Sequence, residues 1–384
     1  RQNVIHQPLV LAEVRRDQPR GTVPVLLRPC ARSDDPPDQI FDDLALVADS
    51  LKLDALALTY PAFGLRGTVA GPFTMKGTMG DLFVTGDLAG PGGRARTADM
   101  HLDALEPRYA VNGHLDLISI DPARLLVDAS QWKGTVTTAI DAAVSFDSVA
   151  TLQGGLRIAL DRSSVAGVKL QKGLARLTMG DGLLRVDSLS VVSDAIALQG
   201  RGGIGLRPDR LDSLRLTAQL DSLGGLRPFL APLSDSLPAD SLRGNVTASM
   251  RLAGNLDSLD MRLSLRAADV AYSLMTTKLL TLDADIADLT RTHTGDIALT
   301  TAGMTLSGVR FSSMRTGARI VQGDRARVES QLVSATGPVI DGGADVSWDS
   351  VSMRATLDSL QVNVGDHRWR LARPASLASS RGTL

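Results

Sequence analysis

The sequence is poor in aromatic residues and cysteine, and it has no excess charge of either sign. Aromatic residues make up only 3% of the 384 residues, although hydrophobic residues reach 43%. Leu, Val, Ala and Met therefore supply the apolar surface, whereas a compact β-sandwich core usually recruits more Phe, Tyr and Trp. The single Cys30 excludes an intramolecular disulfide framework and a cysteine-based metal cluster.

Charge and hydropathy exclude two further classes of protein. The formal net charge is −1, with acidic and basic residues interspersed and no Lys/Arg block, which argues against nucleic-acid binding. No apolar run approaches the roughly 20 residues that a membrane-spanning helix needs. We find no signal peptide, and the chain opens on Arg1. We expect it to be a fragment of a longer protein, with any targeting segment or anchor outside it.

Three stretches of the chain resemble copies of one unit. Pro61–Leu88 and Pro238–Leu265 align without a gap and share Leu-Arg-Gly, a Val, a Gly and two Leu. Gly134–Val149 aligns with Gly244–Leu259 and shares its Asp-Ser step. A β-patterned unit repeated at irregular intervals indicates an extended array. Function is then expected in a continuous surface and not in a catalytic cluster.

A two-residue period dominates from Ile40 onward and predicts strands with one apolar face and one wet face. The clearest examples are Gly244–Gly254, Leu259–Ala267 and Leu280–Ala287, whose apolar positions alternate with Asn, Thr, Ser, Arg and Asp. Their apolar side is the candidate functional surface, a lipid-lining groove wall. The residues assigned to it are Val246, Ala248, Met250, Leu252, Met261, Leu263, Leu265, Leu282 and Ile286.

Turn and helix signals divide the chain. Asp-Ser-Leu or Asp-Ser-Val occurs ten times, and we interpret it as a turn signal because both side chains hydrogen-bond the backbone just ahead. Asp-Gly at Asp181 and at Asp341 predicts two-residue hairpins. In Asp121–Val127, Asp as N-cap and Pro at the first helical position predict a short helix. Leu226–Leu237 is similar and predicts a second short helical connector. At the spacing of the turn signals, roughly 30 strands of about eight residues fit in the chain.

The predicted fold is all-β. Open twisted sheets rarely exceed about ten strands without curling or splitting, so we expect an elongated, curled antiparallel sheet with an apolar groove and short helical connectors. Its parts are an irregular segment at 1–40 and repeat units at 41–133, 134–237 and 238–384. The alternative is a β-solenoid with a self-filled core. The irregular spacing of the repeats counts against it.

Motifs that suggest chemistry are weak. Gly200-x-Gly202-x-x-Gly205 matches a dinucleotide fingerprint by letters but lacks the helix that should follow, so we interpret it as a Gly-rich turn. The pairs His101/Asp103 and His114/Asp116 each place two metal-ligand types on one side of a strand, but their alternation with Leu favours solvent-facing polar residues. We predict no catalytic residues, no metal site and no cofactor, and hence no enzyme.

Several residues resemble the TamB family within the wider AsmA-like group, whose architecture bridge-like lipid-transfer proteins share. They are L-R-G-x-V at Leu65–Val69 and Leu242–Val246, G-x-L-x-x-L at Gly254–Leu259, and Trp-x-Leu-x-x-Pro at Trp369–Pro374. The resemblance covers about residues 41–384 and lies more in pattern than in a diagnostic signature.

The resemblance implies a taco-shaped β-sheet that crosses the periplasm from an inner-membrane anchor outside this chain. Its apolar interior would carry phospholipid toward the outer membrane. It also implies, on an older view, a role in outer-membrane protein assembly with an outer-membrane β-barrel partner. The competing hypothesis is a surface-exposed or secreted β-solenoid, such as an adhesin or passenger, that acts by its outer face.

Overall fold

The computed structural model describes most of the chain. The described residues are 13–14, 23–24, 40–54, 64–105, 107–127, 129, 132–226, 242–335, 337–349 and 352–380. The second helical connector at Leu226–Leu237, apart from its first residue, and most of the irregular segment at 1–40, both predicted from sequence, lie outside the described residues.

The described residues are almost entirely antiparallel β-structure, which confirms the predicted all-β class. The strands are β1 (Glu13–Val14), β2 (Val23–Pro24), β3 (Ile40–Lys52), β4 (Thr68–Thr78), β5 (Asp81–Gly90), β6 (Gly93–Asp103), β7 (Tyr109–Ile120), β8 (Gly134–Phe146), β9 (Gln153–Leu160), β10 (Ser163–Val165), β11 (Val168–Gly180) and β12 (Leu183–Ser193). They continue with β13 (Ile196–Gly205), β14 (Asp212–Leu220), β15 (Arg243–Gly254), β16 (Leu259–Tyr272), β17 (Met275–Ala287), β18 (Thr294–Leu306), β19 (Val309–Gln322), β20 (Arg325–Ser334), β21 (Val339–Trp348), β22 (Ser352–Val364), β23 (His367–Arg370) and β24 (Ala375–Ser380).

The chain forms two compact units. Unit 1 comprises residues 1–181 and 187–194, and unit 2 comprises residues 182–186 and 195–384. In unit 1, β3 to β9 pair in chain order, each strand antiparallel to the next. The short β10 pairs with β8 and β11, while β11 also pairs with β9. Because neighbouring strands pair in a defined register, the alternation of each strand fixes which residues share a face.

The helix predicted near residue 121 is confirmed as α1 (Pro122–Leu125). Asp121 is its N-cap, and the carboxylate accepts a hydrogen bond from the backbone N–H of Ala123 at 3.1 Å. Pro122 occupies the first turn, where a missing N–H costs nothing. Elsewhere among the described residues, helical structure is limited to short 3-10 turns at Val149–Thr151 and Leu223–Leu226, one turn at 53–54 and the single 3-10 residue Trp132.

Unit 2 is a meander in which β13 to β22 pair in chain order, every pair antiparallel. Each strand contacts mainly its hydrogen-bonded neighbours. A buried cluster lies toward one end of the first strands, formed by Leu220, Val246, Ala267 and Val270. A β-solenoid stacks successive coils, whereas these strands fold back on one another as hairpins. The solenoid alternative for the fold is therefore wrong.

Three local predictions need correction. Asp341-Gly342 lies inside β21 and not in a hairpin, with both residues in register against β20 and β22. The glycines Gly200, Gly202 and Gly205 lie in β13 and not in a turn. The strands from β13 onward, apart from β23 and β24, are 9–14 residues long, so the described residues hold 24 strands and not roughly 30.

The Asp-Ser steps serve two roles. Those at Asp147, Asp221 and Asp257 lie between strands, as predicted. Those at Asp49 and Asp358 lie inside β3 and β22, where the pairing register shifts as in a β-bulge. Asp187-Ser188 lies inside β12 and Asp212-Ser213 begins β14, so these two steps do not mark turns either.

Candidate functional site

One side of unit 2 forms a continuous apolar face across β13 to β22. Because the strands pair in register, side chains two residues apart on each strand line up with their partners on the next. One such transverse row runs Leu216, Met250, Leu263, Ala284, Ile297, Ala318 and Val328. We call the side of β13–β22 that carries this row the apolar face, and the opposite side the polar face.

All nine residues assigned to the groove wall lie on the apolar face, on the adjacent strands β15, β16 and β17. Val246 and Ile286 are buried, at 4% and 5% exposure. The other seven are half-buried. Register therefore brings the predicted residues together on one surface. It also extends that surface over strands that the prediction did not include.

Burial varies across the apolar face in an ordered way. A central row of half-buried side chains, here the central row, consists of Leu198, Ala218, Ala248, Leu265, Leu282 and Leu299. Buried residues flank it on both sides: Leu220, Val246, Ala267 and Thr301 toward one strand end, and Leu214, Ala284 and Ile286 toward the other. The face is thus packed most closely toward the strand ends that carry Leu220 and Val246, whereas half-buried residues predominate along its middle and toward the other strand end.

The polar face carries a charged row in the same register. From β13 to β21 it reads Arg201, Arg215, Arg251, Arg262, Asp285, Asp296, Arg319, Arg327 and Asp345. Several members form ion pairs, with Arg262 2.9 Å from Asp285 and Arg319 2.9 Å from Asp296. These pairs are exposed, so each stabilises the sheet only weakly.

A cleft of about 880 Å³ opens over this charged row. Its walls are mainly polar-face side chains, including Arg215, Arg251, Arg262, Asp283 and Glu329. Three smaller clefts of unit 2 are likewise lined mainly by polar-face residues. This surface was not predictable from the sequence, because no single strand carries more than a few of its charges. Only cross-strand register assembles them.

A second polar cluster lies in unit 1 around His114. Its ring nitrogens lie 2.6 Å from Asp141 and 3.0 Å from Asp116. Arg157 is 3.4 Å from Asp141, and Arg96 is 3.8 Å from Asp116. Hydrogen bonds to Asp141 and then to Asp116 raise the pKa of the imidazole, because carboxylate acceptors favour its charged form. The bond donated by His114 lowers the pKa of Asp141.

The cluster is an ion-pair network. No group of three or more His, Cys, Asp or Glu side chains in the described part of the chain has the arrangement of a metal site. His101, the other histidine singled out from sequence, lies 3.4 Å from Asp81 on a neighbouring strand. Each histidine lies against a carboxylate of another strand, which is Asp141 for His114 and Asp81 for His101.

Comparison of the chain with protein-family models, curated proteins and solved structures gives no match. Among the described residues, no helix is long and apolar enough to span a bilayer.

Proposed function

We propose that this chain is a non-enzymatic scaffold whose apolar face carries the acyl chains of phospholipid. The observation that supports it most directly is the central row, a line of half-buried aliphatic side chains across six neighbouring strands. Contiguous apolar surface that stays accessible marks a site for an apolar partner.

The dimensions of the apolar face suit an acyl chain. Neighbouring strands lie about 4.8 Å apart, so the ten strands β13–β22 extend the face over on the order of 40 Å. Transfer of a methylene from water to such a surface is favourable by about 0.8 kcal/mol. An acyl chain that lies along the central row needs no hydrogen-bonding group at fixed positions. This agrees with an apolar face built from Leu, Ala, Met and Ile.

The side chains of the central row favour a mobile ligand over a fixed one. They are all aliphatic and carry no hydrogen-bonding group, so no position along the row fixes a ligand by a polar contact. Lipid would then diffuse along the face with its head group toward solvent. The setting we propose is the periplasm, with transport between the inner and outer membranes or assistance to outer-membrane biogenesis, and with an outer-membrane β-barrel protein as a partner.

Site-specific photocrosslinking tests the proposal. A photoreactive amino acid placed at Leu265 lies on the apolar face, whereas the same amino acid at the adjacent Arg266 lies exposed on the polar face. In bacterial cells, phospholipid should crosslink to position 265 and not to position 266. Equal labelling of both positions, or labelling of neither, would contradict the assignment and leave a surface-acting adhesin or passenger as the better hypothesis.

A further inference from the structure

The arginine row comprises Arg201, Arg215, Arg251 and Arg262, one on each of the strands β13 to β16. Each faces the next directly across the strand pair, on the polar face. Like charges in directly opposed positions destabilise a sheet. Three consecutive Arg–Arg pairs are therefore a costly arrangement, and stability of the sheet alone does not account for it.

Opposed arginines also occur elsewhere, at Arg157 and Arg176 and at Arg319 and Arg327, but there at least one member has a carboxylate partner. Arg94 pairs with Asp87, Arg157 with Asp141 and Arg319 with Asp296, each across neighbouring strands. Within the arginine row, Arg262 is paired with Asp285 at 2.9 Å. Arg215 and Arg251 form no ion pair with any residue that the structure describes. Two exposed guanidinium groups thus stand side by side without a carboxylate.

Hydroxyl groups accompany these arginines. Two residues along each strand, Thr217, Ser249 and Ser264 form the next row on the polar face, and they are in register with one another. All three line the 880 Å³ cleft together with Arg215, Arg251 and Arg262. Guanidinium forks beside O–H donors provide the chemistry that recognises a phosphate group, since phosphate offers several acceptor oxygens and up to two charges.

We propose that the arginine row binds a ligand with at least two phosphate groups. At about 4.8 Å between strands, the four arginines span on the order of 14 Å, which is more than one phosphate occupies. The site ends at Arg262, because the next two residues of the charged row are Asp285 and Asp296, which repel an anion. It lies on the polar face and so does not depend on lipid carriage by the apolar face.

Binding of tripolyphosphate and of inorganic phosphate, measured by titration calorimetry at low ionic strength, tests the proposal. The test variant is Arg215→Gln/Arg251→Gln. The control is Arg310→Gln/Arg354→Gln, which removes the same charge from exposed positions outside this cleft. Wild type and control should bind tripolyphosphate more tightly than phosphate. The test variant should bind tripolyphosphate about tenfold more weakly or worse.

Vesicle flotation distinguishes the source of the phosphate. The vesicles contain phosphatidylglycerol, and vesicles of phosphatidylcholine, which has no net charge, are the reference. If the ligand is a row of lipid head groups, wild type and control should float with the phosphatidylglycerol vesicles and the test variant should not. Binding of tripolyphosphate alone, with the same loss in the test variant, would assign the site to a soluble phosphate compound. No binding by wild type, or equal binding by all three proteins, would overturn the proposal.

Discussion

Leu265 of β16 and Leu282 of β17 lie directly opposite each other on the apolar face, and both are half-buried. Cross-strand partners at this separation contact each other, and in a two-layered β-fold a second sheet would cover them. In unit 2 the strands contact mainly their hydrogen-bonded neighbours, so part of each leucine stays accessible. The accessible part of these two leucines is apolar surface that an apolar ligand can cover.

The first prediction concerns two methionines that differ in burial. Met304 is 2% exposed, whereas Met353 is 50% exposed. Met304→Ala should lower the free energy of unfolding by about 2–5 kcal/mol, because it leaves a cavity. Met353→Ala should change it by no more than about 0.5 kcal/mol. Chemical denaturation of both variants checks this.

Leu265→Ala should fall between these two variants, because the central row is only half-buried. A loss from Leu265→Ala as large as that from Met304→Ala would mean that the central row is closed core, and it would contradict an accessible middle.

The second prediction uses two adjacent glycines of β9. Gly154 has a φ of +117°, and an added Cβ would lie 1.8 Å from the carbonyl oxygen of Ala143. At Gly155 the nearest atom would be the carbonyl oxygen of Leu177 at 3.7 Å, an ordinary contact. Gly154→Ala should therefore lower the midpoint of thermal unfolding clearly, whereas Gly155→Ala should leave it unchanged or raise it slightly. Equal midpoints for the two variants would refute the assigned register of β8 and β9.

The third prediction concerns pH. The raised pKa of His114 stabilises the fold below its unfolded value of 6.5, and this contribution is lost as the pH rises through the folded value. The lowered pKa of Asp141 stabilises the fold above 3.8, and this contribution is lost as the pH falls through the folded value. The network should therefore stabilise unit 1 most between those two values, and weakly, because both side chains are partly exposed.

Thermal unfolding of His114→Gln between pH 3 and pH 9 tests this dependence. The variant should be less stable than wild type mainly from about pH 4 to about pH 6.5, with the difference shrinking above neutrality. His293→Gln is the control, since His293 forms no ion pair with the residues that the structure describes. A pH-independent difference for His114→Gln would contradict the network.

Local alternation was enough to predict the all-β class and the placement of the nine groove-wall residues on one face. In β15, for example, Val246, Ala248, Met250 and Leu252 alternate with exposed polar residues, and burial follows the same period. The N-cap at Asp121 was equally readable, because its chemistry involves only the next two residues.

Features that depend on register were not readable from the sequence. The contact between His114 and Asp141 joins residues 27 positions apart, and the pairing of Arg215 with Arg251 joins residues 36 positions apart. The hairpin predicted at Asp341-Gly342 was wrong for a related reason. The two residues also fit inside a strand, where β20 and β22 on either side satisfy their backbone hydrogen bonds.

The most direct test of lipid carriage is native mass spectrometry with lipid extraction on the chain purified without detergent from a bacterial host. Three proteins are compared: wild type, Ala248→Asp in the central row, and Thr247→Asp at the adjacent exposed position on the polar face. We expect several phospholipid molecules per chain in wild type and in Thr247→Asp, and a clear loss in Ala248→Asp, because a carboxylate on the apolar face disfavours acyl chains. A folded, lipid-free wild type, or equal lipid in all three proteins, would contradict the account.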